Sequence, residues 1–556
     1  MKTHARSGFL ILVLMITGCA SSIKSVKLKT AQPMLYERTD FNISLNEQWE
    51  NPYLAEDIAV DIKMQSPSGK EILLPCFYVS GESGEASEWE ARFAPQEIGR
   101  YTYHLVVSKK GEEMVFDENE FTVENSENKG FLHAENNWIL RYDNGDPFRG
   151  IGENIGWESR TNDDSKFFHE LHEKKKYNYN YLLGELSRNG GNFFRTWICS
   201  WNLPLDWKDN FNNSRYTASD AYYNPSAVAK LDSLVDLSKK LDLHMMLTLG
   251  PGNYSKEDGG FAESTADFFV NPKSRQRYKN RLRYIIARWG YSTSIAAWEL
   301  FNEIDNVQYR NRDNPIDAKT IVDWHEEMSN YIDKIDPYNH IITTSISHRD
   351  LEGLNSLPAI DINQKHIYNR TKDIPGEIID YEKRFGKPYV IGEFSYEWDW
   401  SKNFDEFPEE MDSDFKRGLW YGMFTSTPIL PLSWWWEYFD ERGMTSYFRG
   451  VSKINDMMLK AGNGKFEKVS FKTGNQLESF GVKCGNKIFI YLYNPLDKAL
   501  NYHVEVPELR DASYEVQSFH PLNLEFSQEK TREGIEVAAG KSLDAGKEIL
   551  LIIDFD

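Results

Sequence analysis

The pattern of hydrophobic and polar residues divides the chain into stretches with different periodicities. Between residues 35 and 123, short runs such as 58–64 and 101–107 alternate between apolar and polar positions, with turn-forming residues between them. This alternation is typical of strands with one buried face. The pattern returns after residue 460, most clearly in residues 487–493 and 548–553. Both stretches are therefore predicted to be β-sandwiches.

The middle stretch follows another pattern, in which apolar strand-like runs alternate with longer helical runs. The predicted strands are residues 148–152, 192–198, 243–249, 296–301, 340–345, 360–366, 388–393 and 429–435. Helical periodicity is clearest in residues 227–241, 275–289 and 318–335. Strands that alternate with helices form parallel βαβ units, and eight such units predict a (β/α)8 TIM barrel.

These patterns give a domain organisation. We expect a signal peptide at residues 1–18, an N-terminal β-sandwich at 19–128, the barrel at 129–460 and a C-terminal β-sandwich at 461–556. A chain of 556 residues is too long for one core, which agrees with several domains.

The N-terminus has the pattern of a targeting segment. Lys2, His4 and Arg6 precede an apolar run at residues 9–16 that is too short to span a bilayer. The run ends in the sequence ITGC, which resembles a bacterial lipobox with Cys19 as the lipidated residue. We therefore expect an exported lipoprotein, anchored to the outer membrane through Cys19 alone.

The other cysteines are Cys76, Cys199 and Cys484. Their wide spacing and odd number argue against a disulfide framework and against a zinc site. We expect each of them to be a small buried hydrophobic residue.

The composition narrows the possible partners. A formal net charge of -21 repels nucleic acid and anionic membranes and favours neutral or cationic substrates. Aromatic residues make up 14% of the chain. They could serve as stacking platforms for sugars or simply fill aromatic-rich β-sandwich cores, and composition does not separate the two.

Polar and aromatic residues stand where the predicted barrel strands end, which is where TIM-barrel chemistry takes place. They are Glu153 and Asn154 after the first strand, Arg195 with Trp197 and Trp201 at and beyond the second, Asn302 and Glu303 after the fourth, His366 and Tyr368 after the sixth, Glu393 after the seventh, and Trp434 to Trp436 after the eighth. We expect these groups to converge on one mouth.

Two of these segments carry a resemblance to a known family. WELFNEI (residues 298–304) and VIGEF (390–394) resemble the strand-four and strand-seven motifs of clan A glycoside hydrolases, the cellulase- and mannanase-like retaining enzymes. The N-terminal region also resembles an accessory β-sandwich that precedes such barrels in bacterial lipoproteins, on the segments WEARFAP (89–95) and GENIGW (152–157). The clan resemblance covers the barrel.

The resemblance implies roles for the matching residues. Glu303 would be the acid/base and Glu393 the nucleophile, and Asn302 would bind the sugar 2-hydroxyl. Arg195 would hold the nucleophile ionised, and the tyrosine of the pair His366 and Tyr368 would donate to it. A tryptophan at the end of strand eight, Trp434 or Trp435, would form the floor of a sugar subsite. Many clan members carry a histidine where strand three ends, but Leu249 and Gly250 stand there in this chain.

Several of these positions keep a second interpretation. His366 could be a satisfied core histidine, and Arg195 could be a plain ion-pair residue. Trp434 to Trp436 cannot all face a cleft, because alternate residues of a strand point in opposite directions. Trp197, Trp201, Glu153 and Asn154 are further candidates for substrate contact.

The predicted function is that of a retaining glycoside hydrolase that cleaves a β-linked poly- or oligosaccharide with two glutamates. This chemistry needs one carboxyl protonated and one ionised, so we expect Arg195 to lower the pKa of Glu393 and the ionised Glu393 to raise that of Glu303. No metal or organic cofactor is implied. A carbohydrate-binding lipoprotein without turnover and a transglycosylase with the same site are the alternatives.

Overall fold

The computed structural model describes residues 23–209, 211–250, 254–256, 259–310, 315–399, 401–473 and 476–555. The predicted signal peptide and Cys19 lie outside these residues. Within the described part of the chain, no helix has the length and apolar character needed to cross a membrane. Cys76, Cys199 and Cys484 are buried and free of disulfide bonds, as their spacing predicts.

The N-terminal region consists of two antiparallel sheets. Its strands are β1 (Ile23–Leu28), β2 (Thr39–Leu45), β3 (Ile58–Gln65), β4 (Glu71–Pro75), β5 (Phe77–Gly81), β6 (Ser87–Phe93), β7 (Gly99–Lys109), β8 (Glu112–Val115) and β9 (Asn119–Val123). One sheet has the order β1-β2-β6-β5, and the other has the order β4-β3-β7-β8 with β9 also paired to β7. Every second residue of β2 is buried, which is the alternation of a sheet with one face on a core.

A small antiparallel sheet precedes the barrel and corrects one prediction. It consists of β10 (Leu132–Ala134), β11 (Leu140–Tyr142) and β12 (Pro147–Phe148). Residues 148–152 are therefore only in part the first barrel strand, because Phe148 belongs to β12, whereas Gly150 already bridges Ile429 in parallel and β13 (Gly152–Asn154) follows. The reason is packing: Phe148 joins Leu132 and Leu140 in an apolar cluster with residues near the starts of the barrel strands. The small sheet thus closes the N-terminal end of the barrel.

Seven strands form the parallel barrel sheet in sequence order. After β13 they are β14 (Phe193–Trp197), β15 (His244–Thr248), β16 (Ile295–Glu299), β17 (Ile341–Ile346), β18 (Ile362–Tyr368) and β19 (Tyr389–Ser395). Residues 429–433 take the eighth position, where Ser433 bridges both Glu153 and Phe394 and so closes the ring. This segment forms isolated bridges instead of a regular strand, and Pro431 within it has no N–H to donate. The predicted TIM barrel is confirmed.

Eleven α-helices are described. They are α1 (His169–His172), α2 (Tyr179–Arg188), α3 (Pro225–Lys240), α4 (Thr265–Val270), α5 (Pro272–Trp289), α6 (Asp305–Arg310), α7 (Ala318–Ile335), α8 (Ile374–Phe385), α9 (Pro408–Met423), α10 (Trp436–Glu441) and α11 (Phe448–Gly462). The start signals are local: Asn224 and Asn271 each accept a backbone N–H of the first turn, and each is followed by proline. The helical patterns at 227–241, 275–289 and 318–335 correspond to α3, α5 and α7.

The C-terminal region is again built of sheets. Its strands are β20 (Glu467–Lys468), β21 (Lys472–Thr473), β22 (Glu478–Cys484), β23 (Lys487–Tyr493), β24 (Leu500–Glu505), β25 (Ser513–His520), β26 (Glu525–Phe526), β27 (Lys530–Glu533), β28 (Glu536–Leu543) and β29 (Glu548–Phe555). One sheet has the order β20-β22-β23-β29-β25-β26 with β27 on β25, and the other is β21-β24-β28. The region packs on the barrel through Trp420 of α9, whose ring stacks on Tyr491 with centroids 5.4 Å apart.

Candidate active site

The C-terminal ends of the barrel strands bring the residues singled out in the sequence into one place. Arg195 lies in β14, Asn302 and Glu303 follow β16, His366 and Tyr368 lie in β18, and Glu393 lies in β19. Arg195 and Glu393 are 198 positions apart and still form a hydrogen bond of 2.6 Å. Parallel strands of a barrel end on the same face, and this shared face is what makes the contact possible.

Arg195 is the centre of the hydrogen-bond network. Its guanidinium is fully buried, and each of its five N–H donors has one acceptor. Nε donates to Glu299 at 2.6 Å, Nη1 to Asn154 at 3.0 Å and Glu393 at 2.6 Å, and Nη2 to Glu299 at 2.8 Å and Asn302 at 2.7 Å. A planar group with every donor engaged has one orientation, so Arg195 sets the positions of four side chains.

Glu299 is a member of this network that the sequence analysis did not single out. It ends β16, is fully buried, and accepts a hydrogen bond of 2.7 Å from the Thr248 hydroxyl. Burial alone would raise its pKa, but the Arg195 guanidinium outweighs burial and lowers the pKa of Glu299. A sequence signal existed, since a glutamate within an apolar barrel strand must be paired.

Glu393 is hydrogen-bonded at both carboxylate oxygens. Arg195 donates to Oε1 at 2.6 Å, and the Tyr368 hydroxyl donates to Oε2. Arg195 lowers the pKa of Glu393, as expected, but the net direction is a rise, because burial and the nearby Glu303 carboxyl raise this pKa by more than His366, Arg195 and Tyr368 lower it. The guanidinium is shared with Glu299, so less of its charge is available to Glu393.

A β-bulge decides which way Glu393 points. In the pairing of β18 with β19, Lys365 lies opposite Ile391 and His366 lies opposite Glu393, so Gly392 is an extra residue. Val390 belongs to the apolar interior of the barrel, and strict alternation would turn Glu393 outwards. The bulge turns it inwards. Glycine fits here because a Cβ atom at position 392 would lie 2.7 Å from the Gln364 side chain.

Glu303 occupies a strained position just beyond β16. Its φ of 50° lies in the left-handed region, which non-glycine residues adopt uncommonly and at a cost in free energy. Its N–H donates to the Ser345 hydroxyl at 2.8 Å. Burial and, after it, the Asp305 carboxylate raise the pKa of Glu303 to about 7. The direction agrees with the expectation, but the cause differs: burial and Asp305 raise this pKa, and ionised Glu393 is not among its main causes.

His366 lies between the two carboxyl groups. Its Nδ1 is 2.9 Å from Glu303 Oε1 and 3.4 Å from Glu393 Oε2. Burial lowers the pKa of His366 to about 4, so the ring is neutral near neutral pH. The side chain is buried, as a core histidine would be, but its contacts place it in the site.

The two glutamates are close together. One oxygen of each and a ring nitrogen of His366 all lie within 4.8 Å of one another. Carboxyl groups about 5–5.5 Å apart are typical of retaining glycosidases, whereas inverting ones have them about 6.5–9.5 Å apart. The same spacing could suit a metal ion, but both oxygens of Glu393 already accept hydrogen bonds from the protein, and we assign no metal to the site.

The three polar candidates that remain differ in position. Asn302 accepts from Arg195 through Oδ1, which leaves its Nδ2 group for a ligand. Asn154 is fully buried and donates to the carbonyl oxygens of Gly392 and Leu432, so it is not a substrate contact but orients Arg195. Glu153 is also buried and points away from the mouth, because neighbouring strand residues face opposite sides. These two candidates are corrected accordingly.

Tryptophan rings form one wall beside the carboxyl groups. Trp157, which the sequence analysis did not propose as a site residue, makes edge-to-face contacts with Trp197, Trp201, Trp434 and Trp436 at centroid distances of 5.4, 5.5, 5.5 and 5.2 Å. Trp157 and Trp201 are partly exposed, and the other three rings are buried. We call these five residues the tryptophan cluster.

The three consecutive tryptophans after the eighth segment do not all face the same way, because Trp435 has a left-handed backbone and α10 begins at Trp436. Trp434 lies 5.5 Å from Trp197, whose ring centroid is 5.4 Å from the Arg195 guanidinium carbon. Trp435 has a left-handed φ of 68° and turns away, and its Nε1 donates to the Tyr396 carbonyl at 2.7 Å. Trp434 is therefore the one that leads to the carboxyl groups.

Two protein-family models match the chain. Residues 158–411 match the cellulase (glycosyl hydrolase family 5) model, and residues 33–108 match a domain of unknown function, DUF5060. The first match contains both glutamates and supports the resemblance to clan A glycoside hydrolases.

The curated relatives that match include several mannan endo-1,4-β-mannosidases. Number 5 of Arabidopsis thaliana is 26% identical over 205 residues, which cover 33% of this chain and 44% of the relative. Number 1 of Oryza sativa subsp. japonica is 23% identical over 271 residues, which cover 39% of this chain and 59% of the relative. The chain thus spans about half the length of these relatives.

Solved structures share the fold over most of the chain. A Bacteroides vulgatus ATCC 8482 protein provisionally described as a glycoside hydrolase has a TM-score of 0.65 at 14% identity, with 95% of this chain and 100% of that chain covered. A glycoside hydrolase family 5 protein of the same organism has a TM-score of 0.52 at 13% identity, with 77% and 94% covered. At this identity the likeness concerns the fold alone.

Proposed function

We propose that the protein is a retaining glycoside hydrolase that cleaves a β-linked poly- or oligosaccharide by double displacement. The observation that carries the proposal is the pair Glu303 and Glu393: one carboxyl oxygen of each lies within 4.8 Å of the other, in unequal surroundings. The match of the barrel to the cellulase model supports the reaction class. The spacing supports retention of configuration over inversion.

The surroundings support placing the single proton that the pair needs on Glu303. Two carboxyl groups this close do not ionise independently. Arg195 donates directly to Glu393 and so favours the charge there. The proton then resides on Glu303, whose pKa of about 7 keeps it protonated in mildly acidic solution.

The reaction follows from this distribution. Glu393 attacks the anomeric carbon while Glu303 gives its proton to the departing oxygen, which forms a covalent glycosyl ester and releases the first product. Glu303, now ionised, removes a proton from water as the water attacks the ester, and Glu393 leaves as a carboxylate. Tyr368 and Arg195 hold Glu393 in place throughout. Asn302 donates to the sugar 2-hydroxyl.

For the substrate we propose a β-1,4-linked glycan of the mannan type. The matching curated relatives include several mannan endo-1,4-β-mannosidases, which makes mannans the first substrates to test. The tryptophan cluster beside Arg195 would provide stacking surface for neutral sugar rings. The net charge of -21 also favours neutral polymers over anionic ones.

The test is a panel of mannans, β-glucans and xylans, with products separated by size. Release of oligosaccharides from one of them supports the proposal, and proton NMR of the first product distinguishes the β-anomer of retention from the α-anomer of inversion. No turnover on any β-linked glycan or aryl β-glycoside would overturn the proposal, as would an α-anomeric first product.

For location, we propose a lipoprotein anchored through Cys19, with the two flanking β regions as β-sandwich accessory domains. The lipobox-like end of the apolar N-terminal run supports the anchor. Cys19→Ser should give a soluble protein that takes up no labelled palmitate. Labelling that persists in this variant would contradict the anchor.

A further inference from the structure

We propose that Glu299 is a positioning residue of the reaction: it binds one edge of the Arg195 guanidinium and takes up most of its charge, so that Glu393 stays basic enough to act as nucleophile. This inference rests on the proposed function and adds a residue to it. Glu299 itself has no access to a substrate, because its side chain is fully buried.

The geometry of the guanidinium carries the inference. Glu299 accepts from Nε at 2.6 Å and from Nη2 at 2.8 Å, which is the two-pronged pairing that Arg forms most strongly with carboxylates. Glu393 receives one hydrogen bond, from Nη1 at 2.6 Å. The other edge of the guanidinium is formed by Nη1 and Nη2. It is divided between Glu393 and Asn302, so Glu393 is not bound in the same two-pronged manner.

The strand register supports Glu299 in this position. Thr248 and Glu299 lie directly opposite each other in the pairing of β15 with β16. The Thr248 hydroxyl donates to Oε2 at 2.7 Å, which is the same oxygen that accepts from Arg195 Nε. Glu299 is thus held by two neighbouring strands, and it holds Arg195 in turn.

The charges around the two catalytic carboxyl groups indicate how removal of the Glu299 charge would change their pKa values. The ionisable groups that face Glu303 and Glu393 come from several elements and are Arg195, His366, Tyr368, Asp305, His348 and Glu397. Arg195 is the one permanent cation among them. Without the negative charge of Glu299, its full positive charge would act on Glu393, and the acidity of both catalytic carboxyl groups would increase.

A purely structural role is the alternative. Glu299 would then serve only to satisfy the buried donors of Arg195, since unpaired donors are costly. The two roles differ in the dependence of activity on pH. Loss of a structural contact lowers kcat/KM at every pH by a similar factor, whereas loss of the charge also moves both limbs of the profile.

The experiment is the pH profile of kcat/KM for Glu299→Gln on an aryl β-glycoside that the wild type cleaves. The acidic limb reports ionised Glu393, and the alkaline limb reports protonated Glu303. We expect both limbs to move to lower pH by about one unit, since a charge in this network is removed. Unchanged limbs in a folded variant would overturn the inference.

Two matched variants complete the test. Glu299→Asp keeps the charge but shortens the reach, so the limbs should stay in place while kcat falls by about 10- to 100-fold because Arg195 shifts. Thr248→Val keeps both Glu299 and its charge and should leave the limbs unchanged. If Glu299→Gln does not fold, the test rests on Glu299→Asp. The inference would then be overturned if Glu299→Asp kept the wild-type kcat or if the limbs of its pH profile moved. A wild type without glycosidase activity would instead refute the proposed function.

Discussion

The two ends of the barrel are built from the same strands and have opposite chemical characters. At the N-terminal end the interior is an apolar cluster to which Phe148, Phe193 and Ile341 belong, and the small sheet β10–β12 closes it. At the C-terminal end Arg195, Glu299 and Glu393 form a buried ionic network, and Glu303 remains 23% exposed beside it. Phe193 and Arg195 are only two residues apart in β14.

The difference shows how stability and chemistry are divided within the barrel. The apolar end contributes burial, which is the main favourable contribution to folding. The charged end contains desolvated ionic groups and a left-handed glutamate, both of which cost stability. We therefore expect substitutions at the charged end to change activity and substitutions at the apolar end to change stability.

The largest effect is expected for Glu393→Ala at the charged end. Turnover should fall by about 10⁴-fold or more, because no glycosyl ester can form without the nucleophile. The measurement is kcat on an activated aryl β-glycoside, with circular dichroism as the check on folding. Substantial activity in the folded variant would reject Glu393 as the nucleophile.

The next effect concerns Glu303→Ala. Natural glycans should be cleaved about 10²- to 10⁴-fold more slowly, while substrates with good leaving groups still form the ester because they need little protonation. Azide should then restore turnover and give a β-glycosyl azide, since it attacks the ester without a general base. If azide instead rescued Glu393→Ala with a β-glycosyl azide, and Glu303→Ala with an α-glycosyl azide, the two roles would be exchanged.

At the apolar end, Phe148→Ala should lower the free energy of unfolding of the barrel by about 3–5 kcal/mol, because it leaves a cavity in a buried cluster. Denaturant unfolding measures this loss, and kcat of the folded protein should stay near the wild-type value. Phe167→Ala is the matched control, since Phe167 is 37% exposed and Phe148 is 6% exposed. Equal losses in the two variants would contradict the division between the ends.

The smallest effect concerns pH at the charged end. The pKa of Glu303 is raised to about 7, and its acid form is needed, so kcat/KM should be highest below pH 7 and decline above it. Asp305→Asn removes a negative charge beside Glu303 and should move this decline to lower pH. A decline that stays in place would show that the Asp305 carboxylate does not set the acidity of Glu303.

Much of the site could be predicted because its residues stand at the ends of apolar runs. Glu303 and Glu393 follow such runs, and the order of strands around a barrel follows the order along the chain. Glu299 was overlooked because it stands within a run, where a charge has meaning only once its partner is known. Asn154 and Glu153 were placed at the mouth because a strand end shows where a residue is but not what its side chain contacts.

The sequence by itself determined the number and order of the barrel units, the two flanking β regions and the positions of Glu303 and Glu393 at strand ends, because periodicity and strand ends are local properties of the chain. The tertiary structure decided what depends on partners distant in sequence. It placed Phe148 in the small sheet that closes the N-terminal end of the barrel, and not in the first barrel strand. It turned Glu393 inwards through the bulge at Gly392 and divided the Arg195 guanidinium between two carboxylates. Packing, register and shared charge each need two or more strands in contact, and no single stretch of the chain contains them.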